Sequence, residues 1–207
     1  MGPLALKSED RFTYGDYLNW DDDERWELID GVAYNMSPAP RPIHQRVLAD
    51  LIRQLTTFFL GKTCQVYPAP FDVRLPETDE NDDQIATVVQ PDLSVICDSN
   101  KVDNAGCKGA PDLIIEILSL GTAGRDLKIK FLCYEKAGVR EYWIVDPIEK
   151  TVLVFSLGEN GIYGRPSVYV ETDQPHVGIF PDLIIDLSQV FMSAPSTSPR
   201  HFNGGAN

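Results

Sequence analysis

Apolar residues recur at steps of three and four between Ile43 and Leu60, which is the spacing of an amphipathic helix whose apolar side packs on a core. Gly61 follows this segment and predicts where the helix ends. A second helix is predicted to run from Thr122, as its N-cap, to Ala137, with Gly138 as its C′ residue. The predicted apolar side of this second helix consists of Leu127, Phe131, Leu132 and Tyr134.

Shorter apolar runs predict β-strands around these helices. Asp30-Gly31 is a strong turn signal and predicts a hairpin within Trp26–Met36. Asp98–Ala110 has no hydrophobic period and is predicted to be a loop that joins neighbouring strands. Pro68 and Pro70 place their strand at a sheet edge or at a bulge. The further predicted strands are Cys64–Leu75, Val88–Cys97, Pro111–Ser119, Glu141–Asp146 with its hairpin partner Thr151–Leu157, and Tyr163–Val170 and Ile179–Leu187 as two strands or a strand and a turn.

One of these strands carries a carboxylate, Glu116, in the middle of an aliphatic run. The run is bounded by Pro111 and Gly121 and has the composition of a strand that is buried on both faces. A buried carboxylate without a partner would cost several kcal/mol, so Glu116 must be protonated, paired with a cation or bound to a metal. Asp92, at the front of the preceding long strand, repeats the pattern, and alternation along neighbouring strands would let the two acids converge.

Length and composition fit one globular domain. The chain has 207 residues, of which 43% are hydrophobic, and the prediction is a single domain over residues 13–190 between tails at 1–12 and 191–207. Thr13 is expected to cap a short helix at the start of that domain. The net charge of −13 argues against a large basic groove for DNA and suits a protein that gathers divalent cations at a few acidic positions.

The cysteines and the absence of long apolar runs predict a cytoplasmic protein. The four cysteines have no Cys-x-x-Cys spacing, and with three histidines they do not resemble a zinc site, so we expect reduced thiols. No run approaches the roughly 20 apolar residues of a membrane span, and the N-terminus lacks the apolar core of a signal peptide. We therefore expect no contact with a membrane.

Lys130 is the best candidate for a cation near the two acids, because the helix that carries it leaves from the end of the Glu116 strand. Each residue also has a simpler interpretation. Asp92 could cap the entry to a strand, and Glu116 could form a structural salt bridge. Lys130 could pair with Asp126 on the helix surface. His44, in the first turn of the long helix, could be a surface or capping residue or could face a site, and the acidic run Asp21–Glu24 is typical of a solvated turn.

Several motifs of the sequence belong together: Glu27–Gly31, Met36–Pro38 with His44, Gln90–Leu93, Pro111–Ser119, and Tyr134 with Ala137–Pro147. They resemble the Uma family of restriction endonuclease-like proteins, over about Thr13 to Leu187. That family is similar to the PD-(D/E)XK nucleases, and the resemblance implies an α/β (α+β) fold: a restriction-endonuclease-like mixed β-sheet flanked by helices, with an additional N-terminal hairpin and C-terminal strands.

By this resemblance Asp92 and Glu116 are the two motif acids, and they would hold Mg²⁺ or Mn²⁺ together with the backbone carbonyl of Ile117. Leu118 stands where the motif lysine is expected, so Lys130 would supply that group from the helix. Lys128 points about 200° around the helix from Lys130 and is the weaker choice. Glu27 resembles an upstream glutamate that would support a second metal or a bound water. Around them, the candidate supporting residues are His44, Gln90, Asp126 and Tyr134.

The implied activity is metal-assisted hydrolysis of phosphodiester bonds in DNA by a homodimeric endonuclease. Two other functions stay open. The first is a catalytically silent nuclease fold that serves as an acidic scaffold for a protein partner, which the charge of −13 favours. The second is the processing of a small phosphorylated ligand.

Overall fold

The computed structural model describes residues 11–20, 24–36, 39–119, 121 and 123–192. The described chain is a mixed α+β structure, which confirms the predicted class, and most of its strands are divided between two six-stranded sheets. Four predicted features lie wholly or partly outside the described residues: most of the acidic run, Ser37-Pro38 of the second motif, the Thr122 cap and most of both tails.

The first sheet is built mainly from short strands. It contains Trp26–Ile29 (β1), Val32–Asn35 (β2), Val73–Arg74 (β4), Val88–Val89 (β5), Val102–Asp103 (β7) and Gly106–Lys108 (β8), in the order β2-β1-β5-β4-β8-β7. The predicted hairpin at Asp30-Gly31 is confirmed as β1–β2, and both turn residues have positive φ angles of 49° and 77°. This is the conformation that an Asp-Gly hairpin turn favours.

The second sheet carries the longer strands. It contains Gln65–Pro68 (β3), Leu93–Ile96 (β6), Leu113–Ile117 (β9), Glu141–Asp146 (β10), Thr151–Ser156 (β11) and Ser167–Val170 (β12), in the order β12-β11-β10-β9-β6-β3. The predicted hairpin β10–β11 is confirmed, and β9 is buried along its whole length and pairs in parallel with β10. A separate two-stranded sheet contains His176–Val177 (β13) and Phe180–Ile184 (β14).

Helices cover both faces of the second sheet, namely α2 on one face and α3 on the other. The described helices are Tyr14–Tyr17 (α1), Pro42–Phe59 (α2), Phe131–Ala137 (α3) and Leu187–Val190 (α4), and a π-helical segment, Arg125–Lys130, leads directly into α3. The apolar side of α2 packs in one core with Leu113, Ile115 and Ile117 of β9. Ile114 lies in a second core with Tyr134 of α3. Since side chains alternate along a strand, Glu116 shares the α3 side of the sheet with Ile114.

Two predicted long strands are each divided in the structure. Cys64–Leu75 was predicted as one strand, but β3 belongs to the second sheet and β4 to the first. Val88–Cys97 likewise divides into β5 and β6, which lie in different sheets. Prolines at positions 68, 70 and 91 lack the N–H group that a continuous ladder requires, so the chain changes sheets at these points. The predicted edge position of β3 is confirmed.

Asp98–Ala110 was predicted to be a loop that joins neighbouring strands, and the prediction of a loop was wrong. The segment forms a 3₁₀ turn at Ser99–Lys101 and then the antiparallel pair β7–β8. These strands have only two or three residues each, too few to show a period in the sequence. The segment does connect two neighbouring strands, because β6 pairs with β9.

The predicted apolar side of the second helix was wrong in two of its four residues. Leu127 and Leu132 are 46% and 56% exposed, whereas Tyr134 is fully buried and Phe131 is half-buried. The buried residues of this segment instead include Asp126 and Lys130, which line up with Tyr134 at steps of four. Polar partners on the facing strands, described below, explain why charged side chains occupy the inner side of this helix.

The expectation of four reduced thiols was also wrong, since a disulfide joins Cys64 to Cys97. These residues lie 33 positions apart in sequence. The antiparallel pairing of β3 with β6, in which Gln65 lies opposite Ile96, brings them together. Cys107 and Cys133 are free thiols. The cytoplasmic location stays a prediction. The expectation that all four cysteines are reduced no longer supports it, because two of them form a disulfide. In the described part of the chain, no helix combines the length and apolar character needed to span a membrane.

Candidate active site

Asp92 and Glu116 face each other across the β6–β9 pair. Leu93 lies opposite Ile115 in this ladder, and one further step along the same register sets Asp92 opposite Glu116. The backbone N–H of Asp92 points to Oε2 of Glu116 at 3.4 Å. The two strands therefore bring both acids to the same end of the pair, as the alternation of side chains predicted.

The carboxylate of Asp92 is held by the backbone of β9 and by a side chain of α2. Its Oδ2 accepts a hydrogen bond of 2.8 Å from the backbone N–H of Ile117. The same oxygen lies 3.1 Å from Nε2 of His44, which comes from the first turn of α2. His44 is buried, and its Nδ1 has no hydrogen-bond partner. His44 therefore fixes the orientation of Asp92 through a single nitrogen.

Lys130 reaches Glu116 from the helix side of the sheet. Its Nζ lies 2.8 Å from Oε1 of Glu116 and 2.8 Å from Oε1 of Glu27, and its side chain is only 4% exposed. The Oδ1 atom of Asp126, four residues earlier, is 3.8 Å away. Lys128 is exposed on the opposite side of the helix and takes no part in this cluster.

Tyr134 supplies a second donor to the same carboxylate. Its hydroxyl donates a hydrogen bond of 2.7 Å to Oε1 of Glu116. Oε1 of Glu116 thus accepts from both Lys130 and Tyr134, and its Oε2 faces Asp92. Asp126 is connected through its backbone carbonyl, which accepts from the hydroxyl of Tyr142 on β10.

Glu27 joins the cluster from the first sheet. Besides Lys130, its Oε1 accepts a 2.9 Å hydrogen bond from the backbone N–H of Gln90. Its Oε2 accepts a 3.0 Å bond from Arg125. Glu27 is 1% exposed, so all of these contacts are shielded from water.

Gln90 acts on the cluster through its backbone rather than its side chain. Its amide oxygen accepts two bonds from Arg25, and its amide nitrogen donates 2.8 Å to Asp72 and 3.3 Å to Tyr17. The Gln90 side chain thus ties the site to α1 and to the turn before β4. Among the candidate supporting residues, it is the one whose side chain points away from the acids.

Arg125 was not predicted from the sequence as a residue of this site. This side chain is 8% exposed and starts the π-helical segment one residue before Asp126. An arginine in a short segment rich in charge has no distinguishing spacing. The signal in the sequence is that Arg125 lies five residues before Lys130. In an α-helix, residues on one face are three or four apart, so this spacing does not place the two side chains together. The wider turn of a π-helix changes that relation, and π-helical turns are frequent at functional sites.

Burial and mutual charge shift the protonation of these groups. Burial is the largest influence on Glu116 and raises its pKa to about 8, while Lys130 acts in the opposite direction. Burial by itself would lower the pKa of Lys130, but the carboxylates of Glu116 and Glu27 outweigh it and raise that pKa above its usual value. Burial also lowers the pKa of His44, and the hydrogen bond to Asp92 outweighs it, so the net shift is upward. Burial and the neighbouring acids thus oppose the ionisation of Glu116, whereas Lys130 favours it.

The atoms at this end of the strands that could bind a metal ion are hard oxygens. Two carboxylates, from Asp92 and Glu116, and the nearby carbonyl of Ile117 match the preference of Mg²⁺ or Mn²⁺ for oxygen ligands with several retained waters. Within the described ranges, no group of three or more His, Cys, Asp or Glu side chains is arranged to hold a metal ion. The two carboxylates and the carbonyl fit a cation that keeps several of its waters.

Comparisons with known proteins bear on the family and on the fold of this chain. The model of the family described as "Uma2: Putative restriction endonuclease" matches residues 14–188. A similar solved structure is that of "a putative nuclease belonging to DUF820" from Anabaena variabilis ATCC 29413. It is 19% identical to this chain, with a TM-score of 0.68, and the match covers 87% of this chain and 97% of that one. That identity is low, so the likeness shows a shared fold. No curated protein matches the sequence.

Proposed function

Because the chain belongs to the Uma2 family, we propose that it is a metal-dependent endonuclease that hydrolyses phosphodiester bonds in DNA. The observation that carries this proposal is the buried contact of 2.8 Å between Lys130 and Glu116, with Asp92 on the neighbouring strand. Two acids and one lysine at the end of a strand pair are the groups needed to hold a cation and to position a water at a phosphate.

Asp92, Glu116 and the Ile117 carbonyl would hold Mg²⁺ or Mn²⁺ in this proposal. The ion, when bound, neutralises charge on the phosphate. His44 and the backbone N–H of Ile117 keep the Asp92 carboxylate turned toward Glu116. Their role is to fix the donor atoms before the substrate arrives, which reduces the reorganisation needed during the reaction.

Lys130 acts as a hydrogen-bond donor in this mechanism. Its raised pKa keeps the side chain an ammonium at neutral pH, so it positions the attacking water and stabilises the negative charge that develops, and it does not remove a proton. Water forms a new bond to phosphorus and gives up a proton to solvent. The bond from phosphorus to the leaving oxygen breaks, and that oxygen takes up a proton from solvent. Tyr134 holds the shared Glu116 oxygen and so keeps Lys130 in place.

The net charge of −13 means that the contact with DNA is local. We propose that DNA is engaged near the exposed edge of Asp92, whose side chain is 20% exposed, while Glu116 stays buried beneath it. The proposed active form is a homodimer, with one site for each strand of a duplex.

Cleavage of plasmid and single-stranded DNA with Mn²⁺ or Mg²⁺ tests this function. We expect the parent protein to cut, and Glu116→Gln, Asp92→Asn and Lys130→Met to lose about 10²-fold or more in rate. Lys128→Met is the matched control, since it removes a lysine from the same helix without touching the cluster. The nuclease assignment fails if Glu116→Gln cuts as fast as the parent protein.

A second candidate function is an acidic scaffold for a protein partner, which the charge of −13 favours. A scaffold needs no cation between Asp92 and Glu116. Stabilisation of the parent by Mn²⁺ that disappears in Asp92→Asn favours the nuclease, and equal behaviour of both proteins favours the scaffold.

A further inference from the structure

Both oxygens of Glu27 are already committed to protein donors. Oε1 accepts from Lys130 and from the backbone N–H of Gln90, at 2.8 and 2.9 Å. Oε2 accepts from Arg125 at 3.0 Å. A carboxylate that neutralises two buried cations has little capacity to ligate a metal as well, because a metal there would repel both of them.

Arg125 is held in a fixed position by three groups. Besides Glu27, its Nη2 donates a 3.3 Å hydrogen bond to the backbone carbonyl of Asn35. Its guanidinium also lies 5.3 Å from the centre of the Tyr34 ring. Tyr34 is the cross-strand partner of Glu27 in the β1–β2 hairpin, so Arg125 bridges both strands of that hairpin.

The charges of the cluster leave room for one divalent cation. Four carboxylates belong to it, from Glu27, Asp92, Glu116 and Asp126, and two permanent cations oppose them, Lys130 and Arg125. With every acid ionised and His44 neutral, four negative and two positive charges leave −2, at the end where Asp92 meets Glu116. One divalent ion balances that charge, whereas two would leave a buried excess of +2.

We infer that each chain binds a single divalent cation at Asp92 and Glu116, and that Glu27 and Arg125 are positioning residues that hold Lys130 beside it. This inference rests on the proposed function for the presence of a cation. It replaces the idea that Glu27 supports a second metal. The Glu27–Arg125 pair sets the distance between Lys130 and the cation site by linking the hairpin of the first sheet to the helix over the second.

The number of ions is tested by titrating Mn²⁺ into the protein and following free Mn²⁺ by electron paramagnetic resonance. We expect one Mn²⁺ per chain in the parent protein and in Glu27→Gln. Asp92→Asn is expected to bind about tenfold more weakly or worse, since a negatively charged ligand is lost. Two ions per chain in the parent, one of which Glu27→Gln loses, would overturn the inference.

The positioning role is tested by single-turnover cleavage alongside the titration. Glu27→Gln and Arg125→Met are expected to slow cleavage about 10–100-fold, the usual effect of a residue that orients a functional group, with unchanged affinity for Mn²⁺ and DNA. Arg125→Lys restores only part of the rate, because an ammonium cannot reach Glu27 and the Asn35 carbonyl together. Unchanged rates in both variants overturn the positioning role.

The outcomes separate this inference from the proposed function. If the parent protein binds one Mn²⁺ per chain but does not cleave DNA, the proposed nuclease function is wrong and the single-cation site is still supported. Absence of Mn²⁺ binding in the parent overturns the single-cation site and the metal dependence together. If Glu27→Gln does not fold, the count in the parent and in Arg125→Met decides, because two ions in either protein contradict the inference.

Discussion

The Nζ atom of Lys130 lies 2.8 Å from a carboxylate oxygen of Glu27, a residue of the first sheet, although the lysine's own helix packs on the second sheet. Its other contact of 2.8 Å is to Glu116 within the second sheet. One buried ammonium thus connects the two sheets, between which the described strands form no ladder. Both the stability of the fold and the proposed chemistry depend on this group.

Lys130→Met is expected to destabilise the protein by about 3–5 kcal/mol, the typical cost when one partner of a buried ion pair is removed. The variant leaves Glu27 and Glu116 buried without their shared cation. Urea unfolding monitored by fluorescence measures the loss. Lys128→Met, on the exposed side of the same helix, is expected to stay within about 0.5 kcal/mol of the parent.

Stability should fall as pH rises from about 5 to 8, with EDTA present to remove cations. The folded pKa of Glu116 is about 8, above its usual value of 4.5, so the folded state binds more protons than the unfolded state in that window. The contribution of Glu116 is complete below its unfolded pKa and is lost as pH passes its folded pKa. The slope approaches about 1.4 kcal/mol per pH unit.

Glu116→Gln provides the control for this pH dependence. Glutamine has no proton to lose, so the free energy of unfolding should vary much less over the same range, with a residual fall from His44, whose folded pKa is also raised. Denaturant midpoints at four or five pH values measure both proteins. Parallel curves for the two would contradict the assignment to Glu116.

Divalent cations should stabilise the parent protein and have little effect on Asp92→Asn. A ligand at about one hundred times its dissociation constant adds about 2.7 kcal/mol to the free energy of unfolding. Thermal melting with increasing Mn²⁺ measures this effect. An equal rise in melting temperature for both proteins would show that the cation binds elsewhere.

The Cys64–Cys97 disulfide should withstand unfolding and should contribute to stability. Under denaturing conditions without reductant, two of the four cysteines should react with a thiol reagent, namely Cys107 and Cys133. Reduction should lower the free energy of unfolding by about 2–4 kcal/mol. A reaction of all four thiols in the unreduced protein would show that the bond is absent.

The sequence was sufficient for elements whose pattern is local. Residues 42–59 have an uninterrupted three-four spacing, and Asp30-Gly31 has a turn conformation that few other pairs adopt. The convergence of Asp92 with Glu116 also followed from alternation along two strands, once those strands were assumed to be neighbours.

Features that depend on long-range pairing could not be predicted in this way. Cys64 meets Cys97 only because β3 pairs with β6, and Arg125 meets Glu27 only because the first sheet approaches the helix at its π-helical segment. The inner side of that helix is charged, so hydrophobic periodicity pointed to Leu127 and Leu132 instead. Arg125 and Glu27 are 98 residues apart, so their contact produces no pattern among neighbouring residues in the sequence.

The crossing from β5 to β6 has a consequence for how the chain tolerates changes in length. Gln90, Pro91 and Asp92 leave one sheet and enter the other, and within these three residues Gln90 binds Glu27 while Asp92 meets Glu116. An inserted or deleted residue here would turn Asp92 to the opposite face of its strand and separate it from Glu116. The exposed turn at Asn104-Ala105 carries no such constraint. Relatives of this protein should therefore vary in length at the tip of the β7–β8 hairpin and keep the crossing at three residues.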